Sequence, residues 1–157
     1  MNEGFTHSTH WKLEKRFIYE DAPYEVTEWD GNVSLNEGLN HIATLFCGGA
    51  GQAFDATHCY IGIGDSTDAA AATQTGLQAA TNKYWQVMDA NYPVYGSSQQ
   101  IVFKVTVEAG DASFAWNEFV VGNTIDDSGI VLLRKVEAKG TKGALEEWSL
   151  TVTYTMS

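Results

Sequence analysis

The sequence has few cysteines, few prolines and few positively charged residues. Its 157 residues include two cysteines, two prolines and nine lysines and arginines. Cys47 and Cys59 cannot supply the four closely spaced ligands of a structural zinc site, and they do not form a Cys-x-x-Cys pair. We expect both to be buried free thiols, and we expect the protein to bind no cofactor.

The scarcity of positive charge narrows the range of partners. Nine Lys and Arg against twenty Asp and Glu give a formal net charge of −11, which opposes binding to nucleic acid and to anionic membrane surfaces. No apolar run approaches the ~20 residues that span a bilayer, and the N-terminal MNEGFTHSTHWK lacks the basic and apolar regions of a secretion signal. We expect neither nucleic acid nor membrane as a partner, and synthesis in a cytoplasm.

Catalytic and nucleotide-binding motifs are also missing. Gly62-Ile63-Gly64 begins like a dinucleotide-binding loop, but Thr67 occupies the position where the third glycine is needed. No Gly-x-Ser-x-Gly motif occurs. Glu146 and Glu147 precede a strand, where neighbouring side chains point to opposite faces, so they are poorly placed for acid–base chemistry. We expect a protein that is not an enzyme.

Two pairs of residues could suggest metal ligands. His7 and His10 are three residues apart near the N-terminus, but no third ligand is evident. Asp65 and Asp68 lack the alternating acids and closing Glu of an EF-hand loop. We expect the two aspartates to cap backbone amides in a turn, and we expect no metal site.

Hydrophobic residues are abundant and strongly patterned. They form 44% of the chain, with five Trp, seven Tyr and seven Phe, which is enough to bury a single core. Alternating apolar and polar residues predict strands in HCYIGIG, QIVFKVTVE, ASFAWNEFVVGN, GIVLLRKVE and EEWSLTVTYTMS. Turn residues such as EAGD, DDSG and KGTKG separate the later strands. This spacing is typical of an antiparallel sandwich, so we predict a mainly β protein with an antiparallel β-sandwich of jelly-roll type.

One short amphipathic helix is predicted between Leu35 and Phe46. Ser34 and Glu37 have the spacing of a capping box, and Gly48-Gly49 supply a left-handed stop. The predicted apolar face consists of Leu35, Leu39, Ile42, Ala43 and Phe46.

Residues 1–33 are predicted to be an N-terminal arm or added strands, and residues 34–157 the β-sandwich domain. The first segment mixes charged and aromatic residues without a clean period, and Asp30-Gly31 marks a turn at its end. Because the aromatic residues of this arm are suited to a neighbouring subunit or a partner surface, we expect a chain beginning near Asn32 to stay folded and bind weakly. The candidate interface residues are Trp11, Phe17, Tyr19, Tyr24 and Trp29.

A second aromatic stretch, NKYWQVMDANYPVYG, suggests a different kind of site. Its rings could form a stacking platform for a carbohydrate, although aromatic residues of β-proteins also fill cores and protein interfaces. The four rings are Tyr84, Trp85, Tyr92 and Tyr95.

The order of the segments resembles a group of small structural proteins of tailed bacteriophages. The resemblance runs from Leu35 to Ser157, through LNEGLNHIATLFCGGAGQAFDATHCYIGIGDSTDAAAATQTGLQAATNKYW, YPVYGSSQQIVFKVTV, FAWNEFVVGN, LLRKVEAKGTK and WSLTVTYTMS. It implies a jelly-roll-like sandwich, assembly by symmetry and no chemistry of its own.

These features lead to two functional hypotheses. The first is a virion structural protein, a capsid decoration or cement protein that binds the major capsid protein on the outside of a phage head. A homotrimer would suit the threefold positions of such a shell. The alternative is a phage tail or fibre component, or a glycan-binding β-sandwich module.

Overall fold

The computed structural model describes residues 6–157, which form ten β-strands and one α-helix. The strands in chain order are β1 (His7–Phe17), β2 (Glu25–Asp30), β3 (Val33–Ser34), β4 (Tyr60–Gly64), β5 (Lys83–Val87), β6 (Val94–Ser97), β7 (Gln100–Val107), β8 (Glu118–Gly122), β9 (Val131–Val136) and β10 (Glu146–Met156). Helix α1 (Asn36–Phe46) lies between β3 and β4. Residues 6–157 contain no helix that is long and apolar enough to span a bilayer.

The strands form two antiparallel sheets of five strands each, in the orders β2-β1-β10-β7-β6 and β3-β9-β8-β4-β5. The first and last strands are neighbours in one sheet, while β3 and β9 pair in the other, so the two ends of the chain wrap the sandwich as in a jelly roll. The middle of the chain contributes pairs of consecutive strands: β4–β5, β6–β7 and β8–β9. The predicted antiparallel β-sandwich with one short helix is confirmed.

The last strand, β10, lies at the centre of its sheet, and its alternation of apolar and polar residues explains which of its side chains are buried. In β10 the even-numbered residues from Trp148 to Tyr154 are buried, and the odd-numbered residues between them are half-buried. The strand pairs with β1 on one side and β7 on the other, with Leu150 opposite both Leu13 and Val105. The predicted face of β10 is confirmed, and its side chains fill the main core between the sheets.

The N-terminal segment, predicted to be an arm or added strands, adds two strands to the sandwich. β1 pairs with β10 over its full length, and β2 pairs with the outer edge of β1. Trp11 and Leu13 are fully buried in the main core, and Trp29 stacks on Trp11 with ring centroids 6.0 Å apart. The interpretation of Trp11 and Trp29 as anchors for another molecule is therefore wrong, because these rings pack against the protein's own core.

Helix α1 ends as predicted but begins differently. Gly48 follows its last turn with φ +76° and donates a backbone hydrogen bond to Leu45 O, as a left-handed stop requires. The predicted capping box is wrong, because the N-cap is Leu35, which makes no side-chain cap. Glu37 instead accepts a hydrogen bond of 2.8 Å from the amide of Val131 on β9. The helix is thus tied to the neighbouring sheet rather than capped by itself.

The helix packs on β9 through Gly38, and only part of the predicted apolar face is buried. A side chain at Gly38 would lie 2.5 Å from Leu132 Cα, so only glycine permits this approach. Leu35 is buried and Ile42 packs on the main core, whereas Leu39 and Ala43 are exposed and Phe46 is 90% exposed. Part of the apolar face of the helix is therefore exposed to solvent.

Gly62-Ile63-Gly64 is the end of the buried strand β4. A side chain at Gly62 would lie 2.7 Å from Val120 and 2.9 Å from the Trp85 ring. A side chain at Gly64 would overlap the Glu118 carboxylate. The glycines therefore make room for packing and for a buried acid, and the motif is architectural.

That buried acid holds the long loop after β4 onto the outer face of the second sheet. Glu118 accepts hydrogen bonds from the amides of Gln78 (2.9 Å) and Ala79 (2.7 Å) and from Nε of Arg134 (2.9 Å). Arg134 Nη1 donates to Asp68 O, and Nη2 lies 2.7 Å from Glu118 without a hydrogen-bonding angle. Both side chains are fully buried. Beneath this loop is a second, smaller core of Leu35, Leu77, Val120 and Val131.

The two cysteines are free but differ in exposure. Cys59 is buried in the main core, where desolvation raises the pKa of its thiol. Cys47 is exposed because it follows the last residue of α1, where the chain turns into solvent. The prediction of free thiols is confirmed, and the prediction that both are buried is wrong for Cys47.

Candidate protein interface

Three of the five predicted interface residues come together at the end of β1. Phe17 is the last residue of this strand, and the turn that follows carries Tyr19 and Tyr24 back to its side. The Phe17 ring stacks on Tyr19 at a centroid distance of 5.3 Å and on Tyr24 at 4.8 Å. The sequence places these rings close together, and the turn between β1 and β2 makes them one stack.

The stack and the segments next to it carry exposed apolar side chains. Tyr19 is 68% exposed and Tyr24 is 45% exposed. Ile18 donates a backbone hydrogen bond to Leu145 O (3.0 Å), which places the exposed side chains of these two residues in neighbouring segments. We call this surface the aromatic patch; its members are Phe17, Ile18, Tyr19, Tyr24 and Leu145. Contiguous exposed apolar side chains of this kind mark binding surfaces.

Hydrogen bonds fix the turn that carries the patch. The Tyr24 amide donates to Lys15 O (2.9 Å), and the Tyr24 hydroxyl donates to Glu146 Oε1 (2.6 Å). Partial burial, together with this hydrogen bond to a carboxylate, raises the pKa of Tyr24. Tyr24 is therefore a neutral donor at physiological pH, and its ring is held in place before any partner binds.

Charged residues form the rim of the patch. Arg16 pairs with Glu147, and its Nη1 donates to Glu20 O (3.1 Å). Glu25 at the start of β2 is also charged, and its carboxylate lies 2.5 Å from Nζ of Lys15, which is itself buried over the Trp148 ring. An aromatic centre surrounded by a polar, charged rim is the usual composition of a protein–protein interface.

Ile18 and Leu145 were not predicted as members of this surface. Ile18 lies between Phe17 and Tyr19, which were predicted, and this position in the sequence could have indicated that it belongs to the surface. Leu145 is in the turn before β10, and nothing near it in the sequence connects it with residue 18. Only the pairing of β1 with β10, which ends at Phe17 opposite Glu146, brings the two segments together.

The residues considered as metal ligands lie apart. On a strand, positions 7 and 10 face opposite sides: His7 stacks on Tyr154, whereas His10 bonds to Asp30. Asp65 accepts a hydrogen bond from the Asn82 side chain rather than from a backbone amide. Within residues 6–157, no three His, Cys, Asp or Glu residues are grouped closely enough to hold a metal ion.

The four rings considered as a carbohydrate platform do not share one surface. Tyr84 and Trp85 are neighbours on β5, so they point to opposite faces of the sheet: Tyr84 packs against the main core and Trp85 against the smaller core. Tyr92 is also packed against the main core, while Tyr95 is 73% exposed. A flat sugar-stacking surface needs adjacent exposed rings, and this arrangement does not provide it.

Comparison with known proteins adds no assignment. The chain matches no family model, no curated protein and no solved structure.

Proposed function

We propose that this protein is a non-enzymatic virion structural protein, a decoration or cement protein that binds the major capsid protein on the outer surface of a phage head. The aromatic patch is its contact with the head. The proposal unites the resemblance of residues 35–157 to small phage structural proteins with the exposed ring stack at the end of β1.

The aromatic patch is the observation that carries this proposal. A free protein gains nothing from leaving Tyr19 and Leu145 in water, whereas buried aromatic side chains contribute much of the binding energy at protein interfaces. The stack is held by the Tyr24–Glu146 hydrogen bond and by ring contacts. Because these side chains are already ordered, binding costs less conformational entropy.

The fold is suited to this role. A sandwich with strand ends and turns at each end can present the patch at one end while the sheets remain rigid. The net charge of −11 favours solubility and opposes non-specific association of the exposed apolar side chains.

Co-sedimentation with undecorated heads of the phage that encodes the chain tests the proposal. We expect Tyr19→Ala to weaken binding at least about tenfold, as the removal of a hot-spot aromatic does. The matched control is Ile125→Ala, because Ile125 is similarly exposed (63%) and lies in the β8–β9 loop, outside the patch. Wild-type protein that does not bind heads, or equal binding by the two variants, would contradict the proposal.

A further inference from the structure

Three sequence segments without charged side chains lie at one end of the sandwich. Asp, Glu, Lys and Arg make up 18% of the chain, yet none occurs in residues 38–54, 90–103 or 148–157. These segments are far apart in sequence and include the later part of α1, the turn between β6 and β7, and the end of β10. We call the surface that they form together the uncharged end.

The three segments meet around an open apolar cavity of about 270 Å³. Ile42 and Phe54 come from the first segment, Tyr95 and Ile101 from the second, and Met156 from the third. All five side chains are apolar or aromatic. The cavity therefore offers dispersion contacts and little hydrogen bonding to whatever fills it.

Large apolar side chains project beside this cavity. Phe46 is 90% exposed and lies one helical turn after Ile42, so the two residues are neighbours on the surface of α1. Tyr95 lines the cavity and is itself 73% exposed. Leu39 and Val94 are also exposed on α1 and β6. The same end of the molecule thus presents both projecting rings and a recess.

We infer that the uncharged end is the surface through which copies of this chain associate. A surface that carries both a recess and projecting rings can be complementary to itself, which is the requirement for a closed symmetric assembly. Between two copies of net charge −11, contact through charged surfaces brings like charges together. The three segments of the uncharged end bring no Asp, Glu, Lys or Arg side chain into such a contact, which reduces this repulsion.

Other partners fit the uncharged end less well. A basic partner would gain more from the acidic surfaces elsewhere on the chain. A small apolar ligand could enter the cavity, but it would leave Phe46 in water. A second copy covers the cavity and the projecting rings at once.

This surface and the aromatic patch lie at opposite ends of β1. His7 pairs with Met156 at the uncharged end, and Phe17 pairs with Glu146 at the patch. Ten steps of about 3.3 Å along a strand separate the two ends by about 33 Å. Association through one end leaves the other free, so this inference is independent of binding to a phage head.

Sedimentation velocity of the full chain over a range of concentrations tests the inference. We expect wild-type protein to form a species larger than the 17.2 kDa monomer. Phe46→Asp and, separately, Tyr95→Asp should weaken association at least about tenfold, because each places a carboxylate in a buried apolar contact. Both side chains are largely exposed, so the fold should survive, and circular dichroism checks this.

The matched control is Tyr19→Asp, which introduces the same charge at the aromatic patch and should leave self-association unchanged. A wild-type monomer at all concentrations would overturn the inference, as would association that neither variant at the uncharged end weakens. If a monomer instead binds anilinonaphthalene sulfonate, a dye with an apolar ring system, and Tyr95→Asp in the cavity lining abolishes that binding, a small ligand is the occupant and the inference is equally overturned. Head binding by a monomeric wild type would leave the proposed function standing.

Discussion

His10 is an example of a residue whose role depends on its strand position. It lies on the outward face of β1, with Nδ1 2.7 Å from Asp30 Oδ1 and Nε2 3.7 Å from Glu28 Oε1. The hydrogen bond to Asp30, with smaller contributions from both carboxylates, raises the pKa of His10 above its ordinary value of 6.5. The pair links β1 to the edge strand β2, and its strength must vary with pH.

The first prediction concerns the titration of His10. A raised pKa in the folded state means that the pair stabilises the fold fully below pH about 6.5 and that this contribution is lost as the pH rises through the folded pKa. We expect the His10 imidazole resonances to titrate above pH 6.5, and Asp30→Asn to lower that midpoint. NMR titration measures both. Glu28→Gln is the control and should lower the midpoint less, and an unchanged midpoint in Asp30→Asn would contradict the structure.

Among the structural elements, the loop between β4 and β5 depends most on tertiary contacts. Its residues are small and polar, and it forms no helix over residues 65–82. Glu118 on β8 and Arg134 on β9 hold it through backbone hydrogen bonds, while Leu77 enters the smaller core. The loop thus covers the outer face of the second sheet.

The second prediction tests this buried pair. Glu118→Gln leaves the fully buried Arg134 without a compensating charge, and breaking a buried ion pair in this way costs about 3–5 kcal/mol of the free energy of unfolding. Urea denaturation measures the loss. Asp127→Asn is the control, because Asp127 also holds the loop, through the Leu77 amide and Lys83, but is partly exposed. It should cost less than about 1 kcal/mol, and equal losses in the two variants would show that the buried pair is not the main attachment.

For the molecule as a whole, strands β1 and β2 are needed to complete the main core. β1 and β2 supply two of the five strands of their sheet. Without β1, the full length of β10 would lose its partner on one side, and the main core would lose two fully buried side chains. Of the two predicted roles of this segment, an arm or added strands, the structure shows the added strands.

The third prediction follows: a chain that begins at Asn32 should not fold cooperatively. Removal of a buried Trp or Leu costs about 3–5 and 2–5 kcal/mol, respectively. The loss of Trp11 and Leu13 together therefore approaches the 5–15 kcal/mol of total stability typical of a domain. Circular dichroism during urea titration measures this. A truncated chain with a sharp, single transition would show that β1 and β2 are dispensable.

The sequence alone determined the elements in which apolar and polar residues alternate regularly. Alternation in β7 and β10 predicted both the strands and their buried faces, because a side chain on a strand has only two directions. Gly48 predicted the end of α1, because few other residues adopt positive φ at low cost. Because Phe17, Tyr19 and Tyr24 are close together in the sequence, they were also predicted to belong to one candidate surface.

Only the tertiary structure decided which side chains with similar local patterns are buried and which are exposed. Trp11 and Tyr19 occupy the same parity near the N-terminus, yet Trp11 faces the opposite sheet and Tyr19 lies beyond the end of β1. Likewise, Glu37 had the spacing of a helix cap but bonds to β9, and Phe46 belonged to the apolar face of a helix but is exposed. In each case the outcome depends on which distant segment lies opposite, and local periodicity carries no information about that.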